Sequence, residues 1–246
     1  MEETWFKEWF NTTYYHQLYK ERNDDEAVFF IDNLINNLMP PAQSKMLDVA
    51  CGKGRHSIQL ASKGFDVTGI DLSHESIQHA KQSESSNLQF FEHDMRMPLM
   101  INYFDFVFNF FTSFGYFKTN RENENAIKSI SNALKPNGTF VMDYLNVENK
   151  MLITEDEFEK TIENNLFQIK KWKDNRFFYK QINIQDNTNN ISCSFTENVA
   201  IFTLSDFKAM FEKNGLIMKA TYGDYALNPF DADHSTRLIM VAQKQL

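Results

Sequence analysis

Two carboxylates, Asp48 and Asp71, stand at the tips of two short apolar runs, and glycines follow the first. Asp48 belongs to Lys45-Met-Leu-Asp-Val-Ala-Cys-Gly-Lys-Gly-Arg55, where an apolar run breaks into a tight turn holding Gly52 and Gly54. A helical pattern follows from His56. A strand that passes through a glycine turn into a helix sets bare backbone and a helix N-terminus against a ligand. About twenty residues on, Phe65-Asp-Val-Thr-Gly-Ile-Asp71 ends in the second acid, which is placed to hold the two hydroxyls of a ribose. The pair predicts a cofactor containing a nucleoside.

The elements that must position these groups read as a doubly wound parallel sheet. Candidate strands at 45–50, 66–71, 88–92, 103–110 and 138–144 alternate with helical stretches, and Pro136-Asn-Gly138 reads as a turn feeding the fifth. Residues 1–40 read as helical. Trp5, Phe6, Trp9 and Phe10 form one apolar stripe, and Phe29, Phe30, Leu34, Ile35 and Leu38 form another. Asp24 or Asp25 is a candidate cap for the second helix, which stops before Pro40-Pro41. After Asn146 the rhythm changes, and from about 165 to 204 the pattern predicts a small antiparallel hairpin or meander. Ser205 is then expected to cap a helix running to Lys213, closed by Asn214-Gly215, with two last strands near 216–223 and 236–243. The expected division is 1–40, 41–146, 147–203 and 204–246.

The glycine turn is not the dinucleotide fingerprint, because Ala50 takes the first glycine position and Arg55 and His56 follow the last. An acid before the turn would repel a pyrophosphate, but it suits a ligand bearing an ammonium group. S-adenosylmethionine carries that amine, a sulfonium and a ribose. At these residues the chain resembles the class I S-adenosylmethionine-dependent methyltransferases. More particularly it is similar to a family of small bacterial methyltransferases, most without an assigned substrate. The matching stretches are Leu47–His56, Gly69-Ile-Asp-Leu-Ser73, His93-Asp-Met-Arg96, Asn109–Phe117 and Leu134–Phe140. Tyr222-Gly-Asp-Tyr225, Pro229-Phe230 and Arg237 match as well. The resemblance implies an α/β, Rossmann-like, seven-stranded methyltransferase sheet with an antiparallel final strand, an N-terminal helical lid and a small antiparallel β insertion.

It also implies roles for individual residues. Asp48 would contact the methionine part, directly or through water, and Gly52 and Gly54 would let the backbone approach the cofactor. Asp71 would hold the ribose, and Ala50 and Leu72 would belong to the same cofactor site. Asp94 would accept from the adenine amino group while Met95 packs on the ring. Asn109 would face the sulfonium or the acceptor with its backbone or its side chain. Tyr14, Tyr15, Tyr19 and Arg22 would belong to the lid, with Arg22 pairing the methionine carboxylate. Asn109-Phe-Phe-Thr112 lacks the prolines of enzymes that methylate planar exocyclic amines, and no cysteine is placed for cytosine C5 chemistry. What remains is in-line transfer to a small-molecule acceptor with a nitrogen or oxygen nucleophile, leaving S-adenosylhomocysteine, driven mainly by alignment. If a general base is needed, Tyr15, His56, Tyr116, Tyr144 and His234 are the candidates. A methyltransferase for RNA or protein and a non-catalytic cofactor-binding regulator are the alternatives. A nicotinamide dehydrogenase fits worse, since no Tyr-x-x-x-Lys pair is present.

Composition narrows the classes further. Lys+Arg 25 against Asp+Glu 33 gives a net charge of −8, which disfavours nucleic acid as a partner; Lys170, Lys171 and Lys173 form the densest basic cluster and read as a solvated strand face. Cys51 and Cys193 form neither a disulfide framework nor a zinc-ligand spacing, so no metal is expected. Charges run through the first ten residues and no stretch approaches the roughly twenty apolar residues of a membrane span, so a soluble, cytoplasmic protein is expected.

Overall fold

The computed structural model describes residues 5–19, 24–149 and 155–245. Its centre is a seven-stranded sheet in the order β10-β11-β5-β4-β1-β2-β3. The parallel part comprises β1 (Lys45–Val49), β2 (Asp66–Asp71), β3 (Leu88–Glu92), β4 (Phe104–Asn109) and β5 (Leu134–Leu145). β11 (Arg237–Lys244) runs antiparallel to β5, as the resemblance implied, and β10 (Leu216–Tyr222) pairs antiparallel with β11. Alternate side chains of each central strand enter different cores. Leu47, Val49 and Val107 face one, and Met46, Phe106 and Phe108 the other, which is the two-sided burial of a sheet covered on both faces.

Helices α3 (Asp24–Leu38), α4 (Arg55–Ser62), α5 (His74–Ala80), α6 (Asn120–Ala133) and α7 (Leu204–Lys213) cover the sheet. In α3 the buried stripe is Ala27, Phe30, Ile31 and Leu34, at helical spacing. Phe29, assigned to that stripe from the sequence, is 51 % exposed because it falls off this face. α7 starts two residues earlier than expected. Thr203, not Ser205, is the cap, and it forms a reciprocal capping box with Asp206. β5 begins at Leu134 rather than 138, with the Pro136-Asn-Gly138 segment held as an irregularity between Phe104↔Leu134 and Phe106↔Thr139.

The segment after Asn146 forms a separate antiparallel sheet, β6 (Asp156–Ile162), β7 (Asn165–Lys173), β8 (Phe177–Asp186) and β9 (Ile191–Ala200). The sequence showed a meander but not its first strand. β6 is an edge strand of sequence Asp-Glu-Phe-Glu-Lys-Thr-Ile with mostly exposed side chains, so it carries no apolar alternation. Two short helices, α1 (Trp5–Phe10) and α2 (Thr13–Leu18), pack on this sheet through Trp9, Leu18, Phe167, Ile169, Ile182 and Ile184. No described helix is long and apolar enough to cross a membrane.

Candidate functional site

β1 hands the chain to α4 through a turn in which Ala50, Gly52 and Gly54 all take left-handed backbone, with φ of 59°, 56° and 85°. The turn is pinned from below and from the side. Cys51 N donates to Ile70 O at 2.9 Å, and Gly52 N donates to Asp71 Oδ2 at 2.8 Å. Asp71 Oδ1 accepts from Ser73 N at 2.8 Å, so the acid that ends β2 organises both loops at once. Each of its oxygens keeps a further acceptor site. A methyl group built on Gly52 would meet nothing within 4 Å, so the turn borders open space. Gly54 and Gly69 have the opposite surroundings: the Phe90 ring lies against both, 2.6 Å and 2.5 Å from where their Cβ atoms would stand.

The open space is a cavity of about 390 Å³ at the C-terminal ends of the parallel strands. Asp71 and Leu72 border it after β2, Asp94 and Met95 after β3, and Phe110, Phe111 and Ser113 after β4. The lid supplies its roof through Phe6, Phe10, Tyr15, His16 and Tyr19. Edge contacts join that roof to the β4 loop: Phe10 lies 4.9 Å from Tyr15 and 5.5 Å from Tyr116, and Trp5 5.5 Å from Tyr116, between ring centroids.

Burial dominates the electrostatics. It pushes the Asp48 carboxyl up to about 7, with the Asp71 charge adding and the 2.6 Å hydrogen bond from Ser57 Oγ opposing. Asp71 is raised by burial against the pull of the Ser73 and Gly52 N–H groups. Burial lowers His56 to about 3 and His16 to about 4, the latter helped by the Lys53 charge, so both imidazoles are neutral. Asp94 is the exception: burial acts to raise it, but the Arg96 guanidinium, bonded to both its oxygens, holds it below the ordinary carboxylate range.

Of the residues singled out from the sequence, the fold gathers Tyr15, Ala50, Gly52, His56, Asp71, Leu72, Asp94, Met95 and Tyr116 around this cavity. Others lie elsewhere. Asp48 sits beneath the turn, 1 % exposed, and braces α4 through Ser57. Gly54 caps α4 against Phe90. Asn109, fully buried, does not face the cavity; its amide donates to Val49 O at 3.0 Å and Ser113 O at 3.2 Å and ties the ends of β1 and β4 together. Tyr144 is buried with its hydroxyl on Ala200 O at 2.7 Å, and His234 is an exposed loop residue bonded to Asp231, so neither is placed as a base. Tyr14 turns away to Asp186. Arg22 lies outside the described residues.

The β insertion, expected over the acceptor site, does not border this cavity among the described residues. It acts on it through the lid: Glu197 of β9 accepts from Trp9 Nε1 at 2.7 Å and from the Tyr19 hydroxyl at 2.7 and 2.8 Å. Sequence reasoning also missed His16, which borders the cavity without any motif to mark it, and assigned no role to Lys53 of the glycine turn, which borders it as well. It recorded Arg237 only as part of a matching stretch. In the fold Arg237 is the centre of a latch beneath the β4 loop, donating to Asp143 and to Thr112 Oγ1.

The chain belongs to the methyltransferase-domain family, whose sequence profile matches residues 41–215. It is 42 % identical over 106 residues to YqeM of Bacillus subtilis (strain 168), a protein provisionally named a methyltransferase, covering 42 % of this chain and 43 % of that one. It is 32 % identical over 131 residues to the dTDP-3-amino-3,4,6-trideoxy-alpha-D-glucopyranose N,N-dimethyltransferase of Streptomyces venezuelae, covering 52 % and 54 %. These matches span about half the length of each curated relative. In fold it resembles an S-adenosylmethionine-dependent methyltransferase from Clostridium acetobutylicum ATCC 824, with a TM-score of 0.79 at 16 % identity over 94 % of this chain and 96 % of the other.

Proposed function

We propose, from membership of the methyltransferase family, that this chain is an S-adenosylmethionine-dependent methyltransferase acting on a small-molecule acceptor. The observation that carries it is the Asp71 carboxylate at the mouth of the glycine turn, oriented by Gly52 N and Ser73 N and bordering a cavity roofed by aromatic rings. The residues fit the cofactor. Asp71 would take the ribose hydroxyls, Gly52 and Ala50 leave room for the methionine part, and Asp94 and Met95 lie where an adenine would pack. Tyr15, Phe10 and Tyr116 border the same space, where a ring face turned to a cation would attract it.

Bound S-adenosylmethionine supplies an electrophilic methyl group on a sulfonium that departs as a neutral thioether. The chain's own task is alignment and exclusion of water, and the lid and the β4 loop do both. His16 and His56, held neutral and lowered to about 4 and 3, are weak bases. That supports an amine acceptor, whose neutral form attacks with its lone pair and sheds a proton to solvent afterwards, over a hydroxyl, which needs a base during attack. An amino sugar, the substrate class in the name of the Streptomyces relative, is such an acceptor.

The test is calorimetric titration with S-adenosylhomocysteine, followed by transfer of a labelled methyl group to pools of amines, phenols and RNA. Micromolar binding and label on a small amine support the proposal. Affinity for NADH instead, or label only on RNA, sinks it.

A further inference from the structure

His56 is the second residue of α4, directly behind the glycine turn, and it is 8 % exposed. Its imidazole packs on the Phe110 ring, 4.5 Å between centroids and tilted by 36°. Buried polar groups ordinarily have hydrogen-bond partners. Among the described residues, neither ring nitrogen of His56 makes a hydrogen bond or an ion pair. Enclosed polar atoms without a partner occur elsewhere, at Trp5 Nε1 and Asn123 Oδ1 among others, but the His56 nitrogens are not enclosed. They open on the main cavity, which the residue borders. Burial and the Arg55 charge lower the imidazole to about 3, so one nitrogen carries hydrogen and the other offers a lone pair.

Strand order lays out the wall of that cavity as β4, β1, β2 and β3. Asp94 and Met95 follow β3 and Asp71 follows β2, on the side assigned above to adenine and ribose. Phe110 follows β4, across the glycine turn from them, and His56 stands against it. Among the described residues the carboxylates bordering the cavity are Asp71 and Asp94, both on the cofactor side. Asp71 is engaged by Gly52 N and Ser73 N, and Asp94 by Arg96. An N–H group arriving at the β4 side therefore meets aromatic rings and the His56 lone pair.

We infer that His56 receives the methyl acceptor: a ring nitrogen takes a hydrogen bond from the acceptor's N–H and turns the nucleophile's lone pair toward the transferred methyl group. The ligand class is a primary or secondary amine. In the transfer the nitrogen–carbon bond forms as the carbon–sulfur bond breaks, and the thioether departs neutral. The nitrogen becomes an ammonium, which afterwards sheds its proton to solvent. As positive charge builds on nitrogen its N–H becomes a stronger donor, so the bond to His56 tightens in the transition state. The inference rests on the methyltransferase reading above and adds to it a contact for the acceptor.

The experiment titrates aniline and N,N-dimethylaniline, separately, into the full chain saturated with S-adenosylhomocysteine at neutral pH. Both probes are uncharged there and share one ring, but only aniline has an N–H to donate. His56→Phe, which keeps the packing on Phe110, and His56→Leu both remove the acceptor. Each should weaken aniline at least fivefold while N,N-dimethylaniline and S-adenosylhomocysteine stay within twofold. His56→Gln, which restores a neutral acceptor oxygen, should recover part of the loss. Equal weakening of the two probes overturns the inference, because lost packing would explain it. Weaker S-adenosylhomocysteine binding in both acceptor-free variants overturns it too, since the imidazole would then serve the cofactor. So does wild-type protein that binds no aniline at tens of millimolar, or variants that bind it as tightly as wild type. Failure of S-adenosylhomocysteine to bind wild type removes the methyltransferase reading and this inference together, whereas failure of aniline alone leaves that reading intact.

Discussion

Arg237 donates from Nε to the fully buried Asp143 carboxylate at 2.7 Å, and this pair holds the β4 loop in an unfavourable backbone conformation. Phe111 and Thr112 both have positive φ, 62° and 57°. Asp143 Oδ2 accepts from Phe111 N at 2.8 Å and from the Tyr225 hydroxyl at 3.1 Å, and Arg237 Nη2 donates to Thr112 Oγ1 at 2.9 Å. Phe111 borders the main cavity, so the latch converts C-terminal residues into a fixed cavity wall.

Asp143→Ala leaves the Arg237 guanidinium buried without its counter-charge. Losing one partner of a buried pair costs about 3–5 kcal/mol. Urea unfolding should show that loss, and a change below about 1 kcal/mol would mean that the pair is not the latch described.

Asp71→Asn keeps the shape but removes the charge that organises Gly52 N and Ser73 N and that, in the function proposed above, would hold the ribose hydroxyls. Hydrogen bonds to a charged group contribute about 1.5–3 kcal/mol, so S-adenosylhomocysteine should bind about 10- to 150-fold more weakly by calorimetry. Unchanged affinity would remove Asp71 from the ribose site.

Gly69→Ala sets a methyl group 2.5 Å from Phe90 Cδ1 and 3.0 Å from Cys51 Sγ, although Gly69 itself has ordinary strand backbone. Overpacking of this kind costs about 1–3 kcal/mol. In a double-mutant cycle Phe90→Leu should recover part of it, since the obstacle is the ring; strict additivity would contradict that.

Stability against pH should reflect opposing groups. Asp48, raised to about 7 in the folded chain, is protonated there between roughly pH 4 and 7 when the unfolded chain is not, so its contribution falls as pH rises through that window. His56 and His16, lowered to about 3 and about 4, are neutral when folded but protonated when unfolded below about pH 6.5, so their contribution rises with pH there. Asp48→Asn removes the falling component. Its unfolding free energy should therefore climb more steeply than wild type from pH 4.5 to 6.5, and identical profiles would refute the buried-acid assignment.

Glu197→Ala takes the acceptor from Trp9 and Tyr19 and frees the lid from β9. S-adenosylhomocysteine should then dissociate several-fold faster in stopped-flow displacement, whereas Glu197→Gln, which keeps an acceptor oxygen, should lie nearer wild type. Equal rates for all three would detach the insertion from control of the lid.

The sequence by itself determined the parallel core and the contents of its loops. Alternating apolar runs leave few ways to bury a sheet, and a glycine turn followed by an acid at the next strand tip is a local signal for the groups that meet a nucleoside. Asp71 and Gly52, which border the main cavity, were legible for that reason, and Asp94 and Met95, which border it too, through the family resemblance. Tertiary structure alone decided the rest. Whether a loop polar residue faces a cavity or braces its neighbours depends on partners distant in sequence. Asn109 turns to Val49 and Ser113, Asp48 to Ser57, and Arg237 crosses to Asp143. The coupling of lid to insertion was equally hidden, because Trp9 and Glu197 are 188 residues apart and no local pattern records a hydrogen bond closed across that span.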